Sequence, residues 1–434
     1  MYDQNVQVNL PGESISTVVE ARCLEMLLDL LELPKEAFPG RTITTGATAS
    51  NIIGLACGRE YAMKHAMGDP SYSAAEDGLG SAIITILADR PHASLLKAAS
   101  LVGIGRSNVL DVSDPQTQAI NLGIIEEHLK RSPEGSKRGI IIALSYGEVN
   151  TGEFTNGVSK VKALCDIYHA WIHIDAAFGA FARVVPELRH LASHLELADS
   201  ITSDAHKWLN VPYDAGVFFC RSLELQMAVF GSSPRAAPPA YLTPLSVSNP
   251  DNPGWVEPTP DLMAALHIPS PLNIGIENSR RFRALPIFCA LMAVGKEGYE
   301  GLVRRNVGFA RKLAAWMSTG EGGQWYEVLN LTHTPALSEA LSGETPTVPL
   351  NVVLFRAKGG QSCPAIYDPS KPEGPARLVQ AINATRKVYV SPALNAVRMA
   401  VSNWMTGLSC SNVDGRDVDI DFEVVVEALS NVMK

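Results

Sequence analysis

In "STVVEARCLEMLLDLLEL" (residues 16–33) apolar side chains recur every three or four positions, the spacing of one helix face, and Pro34 follows where a helix cannot continue. Thr17 and Glu20 have the spacing of a capping box, which predicts a helix start at Thr17. From about residue 40 the period changes. The segments "RTITT", "SAIITILA", "SNVLDV", "RGIIIALSY", "WIHID", "DSITSD" and "GVFFC", spread over residues 41–220, read as strands, most of them separated by helical segments. That rhythm predicts an α/β domain with a largely parallel sheet.

Beyond residue 220 the pattern loosens. Residues 231–262 form a proline-rich stretch too long for a routine connection, and such loops are usually functional or disordered. A helix resumes in "SRRFRALPIFCALMAVG", and the chain ends with strands at "PTVPLNVVLFRA", "KVYVSP" and "AVRMAVSNW" and a helix at "DFEVVVEALSNVMK". The resulting plan is an N-terminal segment with a helix (1–34), a large α/β domain (35–285) with its loop at about 231–262, and a small C-terminal domain (286–434). No internal repeat is visible.

Composition narrows the classes. The 434 residues are 46% hydrophobic and 19% charged, enough for a sizeable core. The net charge is -9, and no basic run is interleaved with aromatics, which argues against a nucleic-acid partner. No stretch approaches the roughly 18 apolar residues of a membrane span, and "MYDQNVQVNLPGES" lacks the regions of a signal peptide, so no membrane partner and a cytoplasmic location are expected. Cys23, Cys57, Cys165, Cys220, Cys289, Cys363 and Cys410 are odd in number and scattered, a pattern of reduced thiols rather than disulfides or a zinc site.

In largely parallel sheets ligands collect beyond the carboxyl ends of the strands. Here those ends are chemically loaded: the first strand leads into "TGATASN", the second into "DRPHAS", the fourth into "YGEVNTG", the fifth ends at Asp175 and the sixth runs into "DAHK". Lys207 stands between two apolar runs, where low dielectric favours a neutral amine able to form a Schiff base with an aldehyde; an ordinary surface lysine after a strand is the plainer alternative. Asp175 is placed to hold the proton of a ligand nitrogen, as a pyridoxal phosphate ring requires, or simply to cap a turn. His173 and Asp175 together raise metal ligation, but no recognisable third ligand accompanies them. Gly46, Ala47 and Thr48 offer backbone N–H groups and a hydroxyl at a helix start, which suits a phosphate as well as a plain turn and cap. His92 begins the helix after the second strand, with a flat ring able to stack on a cofactor or to serve only as a polar helix start.

With these residues in order, the chain resembles the group II pyridoxal-phosphate-dependent decarboxylases, the family of aromatic-amino-acid, histidine and glutamate decarboxylases. The resemblance rests on "SDAHKWLNVPYDAG", supported by "HIDAAFGAF", "GEVNTGEF", "RPHASLLKAA", "TTGATASN" and "SRRFRAL" in the same order. It implies the fold type I of pyridoxal-phosphate-dependent transferases, with a mostly parallel mixed sheet between helices in the large domain and a smaller C-terminal α/β domain. The implied cofactor is pyridoxal 5'-phosphate and the implied assembly a homodimer. By the same resemblance Lys207 is the Schiff-base lysine, Asp175 the partner of the ring nitrogen, His92 the stacking histidine and Ala177 the contact on the opposite ring face. Gly46, Ala47 and Thr48 match the phosphate-binding turn, Asp204 stands beside it where some members have asparagine, and His206 lines the site. Tyr241 matches a mobile-loop tyrosine that reaches the partner subunit's site as proton donor, where phenylalanine goes with oxidative chemistry. Arg398 matches a C-terminal arginine suited to a substrate carboxylate or to a structural ion pair. Members usually carry some tens of residues before the equivalent of "DQNVQVNLP", so a substrate pocket built differently, or a shortened chain, is expected here.

The implied activity is decarboxylation of an L-amino acid, aromatic side chains favoured, to its amine. Aldol-type cleavage, elimination or replacement, or carbon–carbon bond formation is the alternative chemistry, and a catalytically silent binding protein the alternative class.

Overall fold

All seven strands expected between residues 41 and 220 form, and they make one sheet. In the computed structural model, which describes residues 5–10, 12–114, 119–233, 259–332, 346–360, 363–413 and 416–434, they are β1 (Gly40–Thr44), β2 (Ile83–Ala88), β3 (Val109–Asp111), β4 (Arg138–Ser145), β5 (Trp171–Asp175), β6 (Ser200–Asp204) and β7 (Gly216–Cys220). The sheet order is β1-β7-β6-β5-β4-β2-β3. Only β7 runs against its neighbours. The carboxyl ends of the other strands therefore share one edge. Continuous burial of Ile140–Leu144 in β4 and of all five residues of β6 and β7 fits strands covered on both faces.

The chain divides into two compact units, the first comprising Met1–Tyr146, Thr155–Ala180 and Ala192–Lys296 and the second Gly147–Phe154, Phe181–Leu191 and Glu297–Lys434. The sheet lies in the first unit. Across its central strands lies α2 (Ala47–Met67), following α1 (Ser16–Leu30). Two glycines one turn apart let α2 come close. A methyl group at Gly54 would stand 2.3 Å from Cε1 of His173, and one at Gly58 would stand 2.7 Å from Cδ1 of Trp171. His173 and Trp171 are two apart on β5 and so share the face turned to the helix.

The capping box at Thr17 and Glu20 does not form. The helix starts at Ser16, with Ile15 ahead of it and no side-chain cap. The Thr17 hydroxyl instead donates to Asn9 Oδ1 at 2.6 Å, and Glu20 pairs with Arg280 at 2.5 Å. Glu20 and Arg280 are only 5% and 6% exposed, so each charge needs the other more than the helix needs a cap. Arg280 also donates to the carbonyl of Ile43 at 2.8 Å, tying α1 and β1 together.

The second unit holds a four-stranded antiparallel sheet of β8 (Tyr326–Val328), β9 (Val352–Ala357), β10 (Ser391–Ala393) and β11 (Ala396–Ala400) in the order β8-β9-β11-β10. Its core gathers Phe309, Leu313, Tyr326, Phe355, Leu378 and Phe422. The strand expected at "KVYVSP" is reduced to its end, because the Asn383 carboxamide takes both the N–H and the carbonyl of Val390, at 2.8 and 2.9 Å. A backbone satisfied by a side chain has no groups left for a ladder. Strand β8 and the hairpin of Cys410–Val413 with Arg416–Asp419 were not expected from the pattern.

Among the described residues no helix is long and apolar enough to cross a membrane. Among the same residues no three His, Cys, Asp or Glu side chains are grouped to hold a metal ion.

Two outcomes follow from the buried charges. Replacing Arg280 with methionine strands the Glu20 carboxylate in the interior and should lower stability by about 3–5 kcal/mol, with much of it regained when Glu20 also becomes methionine; urea unfolding of both variants checks this. Burial pushes the pKa of His173 from 6.5 down to about 4, against a weaker opposite pull from Asp175. The unfolded chain thus takes up a proton that the native state refuses, so this contribution to stability is full above pH 6.5 and lost as pH falls toward 4. Unfolding measured at pH 7 and pH 5 should show the loss shrinking by about 2 kcal/mol in His173→Gln. Asp199, raised by burial to about 6, acts in the opposite direction over that window and is common to both proteins.

Candidate active site

At the carboxyl edge β6 ends at Asp204, and the chain turns at once into the short helix Ala205–Trp208 that carries His206 and Lys207. On the far side of β7, β1 ends at Thr44 and leads through Gly46 into α2. Asp204 joins the two. One oxygen accepts the backbone N–H of Ala47 at 2.7 Å, and the other lies 3.0 Å from Lys207 Nζ. The carboxylate is 2% exposed. Burial raises its pKa, and the nearby charges of Lys207 and His206 hold that rise back. The charge at the helix start is favourable in its own right, since the first N–H groups of a helix have no internal partner.

Lys207 differs from expectation. Its side chain is 24% exposed rather than interior, with Asp204 on one side and the Phe178 ring 4.5 Å away on another. A lysine there is tolerated because it has a counter-ion and an aromatic face. Where some family members have asparagine, Asp204 thus contacts the Ala47 amide and the Lys207 amine group. His206 donates from Nδ1 to the carbonyl of Ala215 at 3.0 Å, and its ring lies 4.3 Å from that of exposed Tyr213. Gly46 packs beside the His206 ring, which a methyl group there would meet at an ordinary 3.4 Å. Thr48 is in the first turn of α2.

On the neighbouring strand Asp175 is half-buried, its Oδ1 accepting the N–H of Ala177 at 3.2 Å and its Oδ2 a side-chain N–H of Asn51 at 2.9 Å. His92 caps the helix α3 (Ala93–Leu101) and is exposed, its Nδ1 engaged by the hydroxyl and the N–H of Ser94 at 2.7 and 3.2 Å. The first unit thus brings Lys207, Asp204, His206, Asp175, Ala177, His92 and the Gly46–Thr48 turn to one edge of one sheet.

Tyr241 lies outside the described residues. Arg398 is in the second unit on β11, where its Nε donates to the carbonyl of Val149; burial lowers its pKa and Glu148 opposes that. Conversely, sequence reasoning assigned no role to Asn51, Ser94 or Phe178. The sequence offers for Asn51 only a carboxamide at the start of a helical segment that runs on into the largely apolar "IIGLACG".

A family model described as the pyridoxal-dependent decarboxylase conserved domain matches residues 8–233. Histidine decarboxylase of Drosophila melanogaster is 28% identical over 291 residues, covering 66% of this chain and 30% of that protein. Phenylacetaldehyde synthase of Petunia hybrida is 28% identical over 233 residues, 53% of this chain and 41% of that protein. The matched segments therefore span less than half the length of these two relatives. The crystal structure of Catharanthus roseus tryptophan decarboxylase in complex with L-tryptophan is similar with a TM-score of 0.69 at 17% identity, covering 98% of this chain and 77% of that one. That likeness establishes the fold, a mostly parallel mixed sheet between helices with a smaller C-terminal α/β part. Since the family model accounts for more than half of its 434 residues, the chain belongs to the pyridoxal-dependent decarboxylase family.

Proposed function

We propose that the protein is a pyridoxal 5'-phosphate-dependent lyase that removes the carboxyl group of an L-amino acid, aromatic side chains favoured, as carbon dioxide and releases the amine. The observation that carries this reading is the convergence of an amine, a hydrogen-bonded carboxylate and a helix N-terminus at one sheet edge. Those three features fit the three polar parts of the cofactor. Lys207 would hold its aldehyde, Asp175 its ring nitrogen, and Gly46, Ala47 and Thr48 its phosphate, with His92 and Ala177 on the two ring faces and His206 alongside. When bound, the cofactor supplies an electron sink for the bond broken at the amino acid's α-carbon.

The chain's own task is to manage protons around that group. Lys207 is useful as a neutral amine, and Asp204 beside a phosphate is tolerable as a neutral acid. At 3.0 Å the two can exchange one proton, from Nζ of Lys207 to Oδ2 of Asp204, and satisfy both demands at once. Burial, which already raises the pKa of Asp204, favours that direction. Oδ1 of the neutral acid can still accept the Ala47 N–H, so the turn keeps its partner. Asp175 stays an acceptor throughout, because both of its oxygens face N–H donors. Tyr241 is the proposed proton donor to the α-carbon, and its hydroxyl favours the amine over the aldehyde that the Petunia relative's name describes.

Function as a homodimer is part of the reading. Leu285, Cys289 and Met292, at the four- and three-residue spacing of one helix face, are exposed on the stretch Ala284–Ser318, and a second copy would cover them.

Borohydride reduction of cofactor-loaded protein should fix the cofactor's mass to wild type but not to Lys207→Ala, as read by intact mass. Loaded wild type given carboxyl-labelled aromatic, acidic and basic L-amino acids should release labelled carbon dioxide fastest from an aromatic one. Release from none of the panel would overturn the decarboxylase reading, and an aldehyde in place of the amine would move it to the chemistry of the Petunia relative.

A further inference from the structure

A chain of hydrogen bonds runs beneath the sheet edge, and its direction can be assigned from its ends. The indole Nε1 of Trp171 can only donate, and it lies 3.0 Å from Ser200 Oγ. The Ser200 hydroxyl lies 2.8 Å from His173 Nδ1, and His173 Nε2 lies 2.9 Å from Asn51 Oδ1, with a longer 3.5 Å contact to Thr202 Oγ1. Asn51 Nδ2 lies 2.9 Å from Asp175 Oδ2 and 3.1 Å from Ser94 Oγ, which in turn is 2.7 Å from His92 Nδ1. A carboxylate can only accept. The amide nitrogen of Asn51 must therefore face Asp175, its oxygen must face His173, and His173 must carry its proton on Nε2. His173 Nδ1 then accepts from Ser200, whose oxygen accepts from Trp171. On the other branch Asn51 donates to Ser94, and Ser94 donates to His92 Nδ1, which puts the proton of neutral His92 on Nε2.

Each link forbids the wrong arrangement of the next. A flipped Asn51 would set its oxygen against a carboxylate and its N–H groups against an N–H of His173. A His173 of the other tautomer would set the lone pair of Nε2 against the Asn51 oxygen, which cannot turn away without meeting the Asp175 carboxylate. Asn51, His173 and Ser200 are fully buried, so water cannot stand in for a lost partner. Burial also keeps His173 neutral, as the chain requires. What sets this network apart from ordinary core pairing is where it ends: on Asp175 at the end of β5 and on His92 at the start of α3.

We infer that Asn51 and His173 are positioning residues of the cofactor site, a one-way relay that sets the carboxylate of Asp175 and the ring of His92 in register as a single unit. This rests on the cofactor reading above. Asn51 and Ala177 each occupy one lone pair of Asp175, which fixes the carboxylate plane and leaves capacity for the ring nitrogen of the cofactor. Asn51 acts on the cofactor only through Asp175 and His92.

The test is titration of apoprotein with pyridoxal 5'-phosphate and with its 1-deaza analogue, which has carbon in place of the ring nitrogen, for wild type and Asn51→Leu. The variant should bind pyridoxal phosphate about 10- to 100-fold more weakly, the scale of a lost hydrogen bond to a charged group, and should lose far less for the analogue. Equal weakening for both ligands would mean a merely structural carboxamide and would overturn the inference, as would no weakening for either. If wild type binds neither ligand, the cofactor reading has itself failed and the inference with it. A second measurement needs no variant: nitrogen-15 histidine NMR of wild-type apoprotein at about pH 8 should show His173 and His92 each carrying the proton on Nε2. An Nδ1–H tautomer at either position would overturn the relay even if Asn51→Leu did not fold.

Discussion

The close seating of α2 on β5 is the constraint from which the site follows. Gly54 and Gly58 remove the side chains that would hold the helix away from His173 and Trp171. Once the helix is that near, its N-terminus is delivered to the edge where β5 and β6 end, and Asn51, one turn before Gly54 on the same face, reaches Asp175. An alanine at Gly54 would force the His173 ring aside and disturb by the same movement the bond that orients Asn51. Packing and chemistry are here one geometric fact.

The edge carries two kinds of polar group that behave differently. Asp204 and Lys207 are opposite charges 3.0 Å apart, the lysine partly open to solvent, and a single proton transfer neutralises both. Asn51, His173 and Ser200 are neutral, fully buried and mutually satisfied, so no proton needs to move among them for the site to work. The first pair suits a place where charge must change when an anion arrives. The second suits a place where an acceptor must keep its orientation.

Much of this was legible in the sequence because burial on both faces writes itself as uninterrupted apolar runs. "RGIIIALSY" and "GVFFC" could hardly be anything other than covered strands, and the residues that follow such runs lie at the ligand edge by topology alone. Local signals fared worse wherever a distant partner competed. Thr17 and Glu20 carry the spacing of a cap, but Asn9 and Arg280, which is 260 residues from Glu20, claim them. Val390 sits in a strand-like segment, yet Asn383 takes its backbone groups. Lys207 looked interior because its neighbours in sequence are apolar, whereas exposure is set by neighbours in space.

Asn51 shows most clearly why the rest could not be read. Nothing in "TASNIIGL" says which of its polar residues faces a carboxylate, because that depends on the register of β5 under α2 and on the absence of side chains at Gly54 and Gly58. The rule that buried polar groups must be paired would have flagged it as needing partners. It could not have named Asp175, 124 residues away, or His173 beside it. Sequence pattern locates candidate groups where a strand end exposes them, but the residues that hold those groups still become visible only when the helix is laid on the sheet.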